Sequence, residues 1–598
     1  MILIFGGTTE GRIAAKVCDM AAKGYLYATK GEDQRLISSY AEQIYGAMNQ
    51  VDIEAVVSSR SVELIIDAAH PYAETLHANI AQAAMQTEIP TIRFERLNNT
   101  PTYKKLRYFE TLQEVAEHIK SESIYDVLAL TGVKSAAIFA PIAESHRLTL
   151  RIMDREESHQ IIDKANFPIN SIIYYSLGAD DNYNLNKNIG AIITKESGES
   201  GGYNEKIRLA ESLDIPIFVV KRPKLPNYTS IIYGEYGLRR EIERLLPKYY
   251  DLRTGFTTGS AATAATIAAL KTIIFKEQTE SVEIILPNGE PYTIPIHSTK
   301  IERELAVASV VKDGGDDPDA THNIMIVAKV ECHRSTNTTI NIKGGKGVGR
   351  VTLAGIGIEV GEAAINPVPQ EMIRDNIIKV LRDLNYDIQV EISVPDGEHI
   401  AQKTFNPRLG IVDGISILGT SGIVQPFSSE AFLDSIARQI DIVKALKECT
   451  IVINSGAMSE RYIKRCYPDL PPQCYIHYGN LIGDTLRVAA AQNIERVVLG
   501  VMIGKAVKLA AGALDTHSKR VVLDRDFLIS IARKSECTED VISQIESLTT
   551  ARQLWEIIPS TDHPLFTLIK ECCYTHCRPL LPNGSLTIRL ISEQGEVV

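Results

Sequence analysis

Three stretches of this 598-residue chain carry residue types and spacings that can do chemistry. The first is Gly6-Gly7-Thr8-Thr9-Glu10-Gly11, directly behind the apolar residues 1–5. Ile13, Val17, Met20 and Ala21 follow at helical spacing, and Gly24 stands where a helix C-cap belongs. Strand, glycine turn and helix N-terminus make a phosphate cradle, because free backbone N–H groups and the helix dipole face the turn. Gly6, Gly7, Thr8 and Thr9 are therefore candidate cofactor contacts, set against an ordinary strand-to-helix turn. The next strand, residues 25–29, ends on Lys30 rather than on the acid that holds an NAD ribose. That favours the 2′-phosphate of NADPH over NADH, although a solvated lysine looks the same.

The second stretch is Ala68-Ala69-His70-Pro71-Tyr72-Ala73, behind the buried-looking strand 64–67. In open α/β sheets ligands bind at that end of a strand. Pro71 fixes the chain beside His70, and Tyr72 adds a stacking face, so both are candidate catalytic groups; a helix-start proline near a capping histidine is the plainer reading. Strands at 127–130 and 192–193 run into Thr131-Gly132 and Thr194-Lys195-Glu196-Ser197-Gly198. Thr131, Gly132, Thr194, Lys195, Ser197 and Gly198 join the candidate cofactor set. Residues 204–213 read as a helix and 215–220 as the last strand of this half.

At Asp251 the chain starts again. Asp251-Leu252-Arg253-Thr254-Gly255-Phe256-Thr257-Thr258-Gly259-Ser260 opens a new loop onto an apolar helix at 261–274, and the hydroxyls of Thr257 and Thr258 suit a carboxylate or phosphate. Asn288-Gly289 signals a hairpin. The third stretch, Asp313-Gly314-Gly315-Asp316-Asp317-Pro318-Asp319-Ala320-Thr321-His322, packs four acids and a histidine into ten residues. It lacks the EF-hand pattern, and the expectation is a substrate or base role for Asp316, Asp319 and His322 against a polar turn. Lys343-Gly344-Gly345-Lys346-Gly347-Val348-Gly349-Arg350 reads as a flexible loop whose Lys343, Lys346 and Arg350 suit a polycarboxylate, or as a mobile lid. From about residue 410 the pattern turns βαβ-like. Strands at 415–418, 450–454, 474–477 and 496–499 end on Gly419-Thr420-Ser421-Gly422, Asn454-Ser455-Gly456, Tyr478-Gly479-Asn480 and Gly500. Gly504 follows as a further candidate cofactor contact, and Lys505 and His517 as candidate substrate contacts. Such strand ends on one edge make a nucleoside pocket.

The elements that must position these residues fit a soluble α/β protein. Length alone suggests about four domains of roughly 150 residues. The composition is 44% hydrophobic and 23% charged, without low-complexity tracts. A net charge of −11 argues against general nucleic-acid binding but not against an anionic small molecule. Nine scattered cysteines do not form a disulfide framework. Cys572-Cys573-Tyr574-Thr575-His576-Cys577 lacks a second ligand pair, so no metal is assigned, and Trp555 reads as core. The N-terminus lacks the features of a signal peptide, and no apolar run approaches the roughly 18 residues of a membrane span. A reducing cytoplasm without membrane association is expected, and a homo-oligomer is left open.

Residues Gly6 to Arg12, Asp67 to Ala73 and Thr194 to Gly198 resemble the precorrin-6A reductases of cobalamin biosynthesis over nearly the whole first half. Gly11 stands where that family often has alanine, a change expected to leave the loop undisturbed. Gly255 to Gly259, Asp313 to His322, Gly344 to Arg350, Ala364 to Pro369, Gly419 to Gly422 and Gly504 to Lys519 resemble the cobalt-precorrin-5B C1-methyltransferases over almost all of the second half. Ala261 replaces a frequent cysteine there. The resemblance implies methyl transfer from S-adenosylmethionine to carbon 1 of a cobalt-corrinoid, giving cobalt-precorrin-6A. Nicotinamide-dependent reduction to cobalt-precorrin-6B then follows. The expected architecture is a reductase of two Rossmann-like halves at 1–248 (about 1–122 and 123–248). A two-part methyltransferase follows at 251–598, α+β over about 251–409 and Rossmann-like α/β over 410–598. The alternatives are an unrelated NADP-dependent reductase fused to a nucleoside-binding transferase, or a tetrapyrrole carrier without chemistry.

Overall fold

A computed structural model describes residues 1–97, 102–175, 188–198, 201–302, 305–518 and 520–598; Lys519 therefore lies outside the described residues. The chain divides into two compact units, Met1–Asp251 with Glu290–Tyr292, and Leu252–Gly289 with Thr293–Val598.

The first unit holds two six-stranded parallel sheets. One runs in the order Ser230–Tyr233, Thr91–Glu95, Leu64–Asp67, Ile2–Phe5, Tyr25–Thr29, Ala41–Tyr45. The other runs Leu106–Phe109, Ile217–Val220, Ala191–Lys195, Val127–Ala129, Thr149–Met153, Ile172–Tyr175. Central strands such as Ile2–Phe5 and Leu64–Asp67 are buried at every position, as expected where helices cover both faces of a parallel sheet. The expected division near residue 122 is corrected. Leu106–Phe109 pairs with Ile217–Val220 in the second sheet, while Ser230–Tyr233 returns to pair with Thr91–Glu95 in the first. Residues 215–220 are thus not the last strand. The amphipathic helix Glu235–Leu245 that follows buries Leu238 and Ile242 in the core of the first sheet, which draws the chain back.

The second unit begins with the helix Thr258–Phe275, packed on a five-stranded sheet ordered Ser298–Glu302, Leu305–Val311, Met325–Arg334, Tyr386–Ser393, Thr339–Gly344. Thr263, Thr266 and Thr272 bury their hydroxyls by donating to the carbonyls of Gly259, Ala262 and Ala268 at 2.8–2.9 Å. Contrary to the sequence reading, this helix reaches 18 residues with a mean hydropathy of 1.3, long and apolar enough to cross a membrane; 78% of it is buried inside the unit, as a core helix requires. A four-stranded parallel sheet follows, ordered Tyr475–His477, Thr450–Asn454, Arg496–Met502, Ser585–Ile591. Its start also needs correction. Ile411–Val412 pairs with Arg350–Val351, Ile423–Val424 pairs with Gly255–Phe256, and Ile415 and Ile417 bridge to Val348 and Ile365. The chain up to Val424 therefore belongs to the α+β part. Trp555 stacks on Phe566 at 4.1 Å in the last core, where Cys573 and Cys577 are also fully buried.

Candidate functional site

In the first unit, Thr8 caps the helix Thr9–Asp19: its Oγ1 accepts from Gly11 N (2.9 Å) and donates to Ala68 O (2.6 Å). Gly7 has φ +84°, and a Cβ on Gly11 would lie 2.7 Å from Gly6 Cα. With glycine at this position the capped turn forms, and the helix start packs directly against Gly6, so an alanine side chain would not fit here without a shift. The amides of Thr8 and Thr9 have no partner among the described residues. Free N–H groups at a capped helix start, backed by side-chain-free glycines, fit a dinucleotide pyrophosphate. Lys30 follows the neighbouring strand as expected; its exposed ammonium pairs with Glu157 at 3.2 Å.

The end of Leu64–Asp67 faces the end of Ala191–Lys195. Tyr72 OH donates to Val220 O (2.7 Å) and accepts from Glu196 N (2.9 Å), and burial raises its pKa. In this arrangement the hydroxyl proton is engaged by a backbone carbonyl, which makes Tyr72 the weaker candidate donor. His70 Nδ1 accepts from Tyr72 N at 3.2 Å, so a neutral ring carries its proton on Nε2. The protein packed around His70, then the cations of Arg96 and Lys195, push its pKa down to about 4, although part of the residue stays exposed. A ring neutral at physiological pH donates a hydrogen bond but is a poor acid. Lys195 fits proton donation better. Its ammonium stands 5.1 Å from the Tyr72 ring centroid, and burial together with Lys134 lowers its pKa.

Buried ion pairs that no sequence motif announced hold this cleft. Asp67 accepts from Arg93 (3.0 Å), His77 (2.6 Å) and Tyr228 (2.5 Å), and Arg96 joins Glu10 (2.8 Å) to Ser197 O (2.9 Å). Arg222 pairs with Glu95 at 3.1 Å, yet its Nη2, buried beside Gly198, has no hydrogen-bond partner among the described residues. Gly198 has φ +74°, and a Cβ there would meet that Nη2 at 2.8 Å. Thr131 bonds Ser135 (2.7 Å) beside Gly132, and Thr194 is fully buried. A pocket of about 350 Å³ opens between Glu74, His77 and Ala78 on one side and residues 223–226 on the other.

The opening loop of the second unit is built differently. Thr257 N bonds Gly422 O (3.0 Å), Gly259 N bonds Leu418 O (3.0 Å), and Ser260 Oγ donates to Gly422 O (2.6 Å). Thr258 Oγ1 accepts from Leu418 N (2.9 Å). A Cβ on Gly419 would lie 2.4 Å from Thr257 Oγ1. Residues 419–422 thus plug the helix start, which corrects both the substrate role of Thr257 and Thr258 and the cofactor role of Gly419, Ser421 and Gly422. Thr420 is exposed beside them.

The acids of residues 313–322 are likewise spoken for. Arg253 reaches Asp313 (3.1 Å) and offers its amide to Asp316 (2.7 Å); Lys312, 1% exposed, pairs with Asp319 (2.8 Å); His322 Nδ1 accepts from Gly314 N (3.0 Å). Burial would raise the Asp319 pKa, but Lys312 and Thr321 outweigh it and hold the carboxyl low. Asp316, Asp319 and His322 are placed to lock a turn. The expected flexible loop is also corrected: a Cβ on Gly347 (φ +73°) would lie 1.9 Å from Val394 O, so the glycines are packed shut. Lys343 and Lys346 remain exposed without an ion-pair partner among the described residues, and Arg350 pairs with Asp413 at 3.0 Å.

An open edge does occur at the four-stranded sheet. Its strand order reverses between Thr450–Asn454 and Arg496–Met502, the place where such sheets bind ligands. Gly456 and Gly504, just beyond those two strands, have nothing within 4 Å of an added Cβ. Asn454 Oδ1 accepts from Gly456 N at 3.2 Å. Gly479 (φ +59°) and Asn480 end the neighbouring strand; Lys505 donates to Gly479 O and to Asn480 Oδ1 (2.9 Å), and burial pushes its pKa down to about 8. Lys505 therefore ties this edge together rather than projecting a free charge. Thr516 N donates to Asn480 O (3.0 Å), which brings the half-buried His517 to the same edge. Gly500 is corrected: it lies inside Arg496–Met502, and a Cβ would meet Ile463 at 2.5 Å.

Sequence reading missed one cluster on this edge. His477 Nε2 lies 2.6 Å from Glu460 Oε2, which also accepts from Arg408 at 2.8 Å. Burial would raise the Glu460 pKa, but His477 and Arg408 outweigh it and hold the carboxyl at about 2. The three residues stand far apart in sequence and form no motif.

Residues 247–426 match the family model CbiD, and residues 515–598 match the model of the CbiD C-terminal domain. A cobalt-precorrin-5B C(1)-methyltransferase of Prosthecochloris aestuarii is 41% identical over 349 residues, 58% of this chain and 95% of that protein. One of Geobacillus kaustophilus is 43% identical over 342 residues, 56% of this chain and 91% of the relative. The chain belongs to the cobalt-precorrin-5B C(1)-methyltransferase family. Ahead of that region, residues 1–234 match the model of precorrin-6x reductase CbiJ/CobK, so two enzyme regions of cobalamin biosynthesis are fused. A solved structure titled CobK precorrin-6A reductase aligns at 19% identity over 41% of this chain and 96% of its own, with a TM-score of 0.35.

Proposed function

We propose that the methyltransferase unit transfers a methyl group from S-adenosylmethionine to carbon 1 of cobalt-precorrin-5B, and that the reductase unit converts the resulting cobalt-precorrin-6A to cobalt-precorrin-6B. The observation that carries this reading is that each unit has a sheet edge whose helix start leaves room for a cofactor, by unpartnered amides behind close-packed glycines in the first and by open glycines in the second. These are Gly6, Gly7 and the free Thr8 and Thr9 amides in one unit, and Gly456 and Gly504 in the other. A nicotinamide, when bound, supplies a hydride to the macrocycle. Gly6, Gly7, Thr8 and Thr9 hold its pyrophosphate, with Lys30 near the ribose, and Arg222 Nη2, without a partner among the described residues, faces bound ligand. Lys195 gives the proton that completes the reduction, and His70 Nε2–H orients the ring beside it.

In the methyltransferase unit, Asn454, Gly456, Gly479 and Gly504 hold S-adenosylmethionine, which supplies the methyl group. Methyl transfer from a sulfonium mainly demands alignment and exclusion of water, so a positioning edge is sufficient. Lys343 and Lys346 meet the carboxylates of the macrocycle. The working compartment is the cytoplasm. Titration of the full chain with NADPH and with S-adenosylmethionine tests the reading. It expects one site for each, filled independently; competition between the two, or no binding of either, would refute it.

A further inference from the structure

We propose that His477 is the base of the methyltransferase unit, taking the proton that the macrocycle loses when it is methylated. The proposal rests on the methylation reading and deepens it. His477 ends the strand Tyr475–His477 and sits in register with Asn454, whose loop leads to the open Gly456. The imidazole therefore shares the carboxyl edge that the cofactor reading uses. Its Nε2 is occupied by Glu460 at 2.6 Å, and Nδ1 has no partner among the described residues.

The charges facing the ring are Glu460, Arg408 behind it at 2.8 Å, and Lys464, 3.6 Å from the other Glu460 oxygen. An ionised Glu460 fixes the neutral tautomer with its proton on Nε2, which leaves the Nδ1 lone pair as acceptor. The His477 side chain is 16% exposed, enough for a ligand to reach it. Phe405, 54% exposed, stands edge-on at 6.0 Å and offers an apolar surface to a flat ring system. A cluster that served only to staple residues 406–409 onto the sheet would have no use for an unpaired nitrogen beside an exposed aromatic ring.

The chemistry balances. The S–CH3 bond breaks with its electron pair left on sulfur, and the C–CH3 bond forms with an electron pair of the macrocycle. The positive charge so created on the macrocycle disappears when a proton passes to His477 Nδ1 and from there to water.

The test uses the full-length protein with S-adenosylmethionine and cobalt-precorrin-5B, reading kcat and cofactor affinity separately. His477→Gln is expected to lower kcat about 100-fold or more, with S-adenosylmethionine affinity and NADPH-dependent reduction unchanged. Added imidazole should restore part of the rate in His477→Ala. A kcat equal to wild type, or a loss that follows cofactor affinity and ignores imidazole, overturns the proposal. Should neither variant fold, the wild-type kcat must still fall with decreasing pH through a single ionisation, and a flat profile overturns the proposal as well. A wild-type chain that does not methylate at all refutes the methylation reading instead.

Discussion

The helix start at Thr8 and the helix start at Thr257 have nearly the same composition and opposite uses. Both offer glycines and threonines ahead of a helix, and in both a threonine caps by accepting from an amide three residues on. At Thr8 the amides of Thr8 and Thr9 stay open among the described residues. At Thr257 the carbonyls of Gly422 and Leu418 take the amides of Thr257 and Gly259, and Thr258 turns its hydroxyl to the same segment. A glycine/threonine loop is therefore a cradle only when nothing else in the chain returns to fill it. In the second unit the open positions moved to Gly456 and Gly504, where sequence spacing is less suggestive.

This contrast can be broken at several points. Gly347→Ala forces a side chain onto Val394 O at a positive φ and should destabilise the methyltransferase unit by on the order of 3 kcal/mol or more. Urea unfolding should show that loss while reduction persists; an unchanged midpoint would mean the packed glycines yield easily. Glu460 should set the acid limit of the same unit. Its pKa of about 2 lies below the ordinary value of about 4.3, so it contributes stability above that range and loses it as pH falls toward 2. Glu460→Gln should remove about 3 kcal/mol at neutral pH and flatten the dependence of the unfolding midpoint between about pH 4.3 and pH 2. A parallel curve would show that the carboxylate does not carry it.

Smaller effects sharpen the comparison of the two open edges. Gly11→Ala should weaken NADPH binding at least about tenfold, or about 1.4 kcal/mol, and leave methylation alone. Gly504→Ala meets empty space in a helix and should raise stability by up to about 1 kcal/mol while weakening S-adenosylmethionine binding. A variant that binds normally would place the cofactor elsewhere. Lys30→Glu should shift the NADPH preference by less than about 1 kcal/mol, because the lysine is exposed and already paired. A larger shift in competitive titrations would restore it as the reader of the 2′-phosphate.

Much of the fold was legible because parallel strands buried on both faces read as apolar runs ending in small residues. The ends at Thr8, His70 and Lys195 were found that way. What escaped was long-range pairing. No local pattern shows that Leu106–Phe109 and Ser230–Tyr233 cross to other sheets, or that residues 415–422 pack on a helix more than 150 residues earlier. The acids at 313–322 look reactive in sequence because one partner, Arg253, lies in a separate loop sixty residues earlier, and the other, Lys312, directly before Asp313, reaches Asp319 only once the turn has folded. Glu460, His477 and Arg408 come together only through the sheet order, so spacing carried no signal for them.

The central claim is that two chemistries act on one macrocycle from two separate edges. Incubating the full chain with methyl-labelled S-adenosylmethionine, hydride-labelled NADPH and cobalt-precorrin-5B tests it most directly by mass spectrometry. The account predicts a single product carrying both labels, a singly methyl-labelled intermediate when NADPH is withheld, and no hydride label when S-adenosylmethionine is withheld. Hydride incorporation without methylation, or a product that never acquires the methyl label, would contradict it.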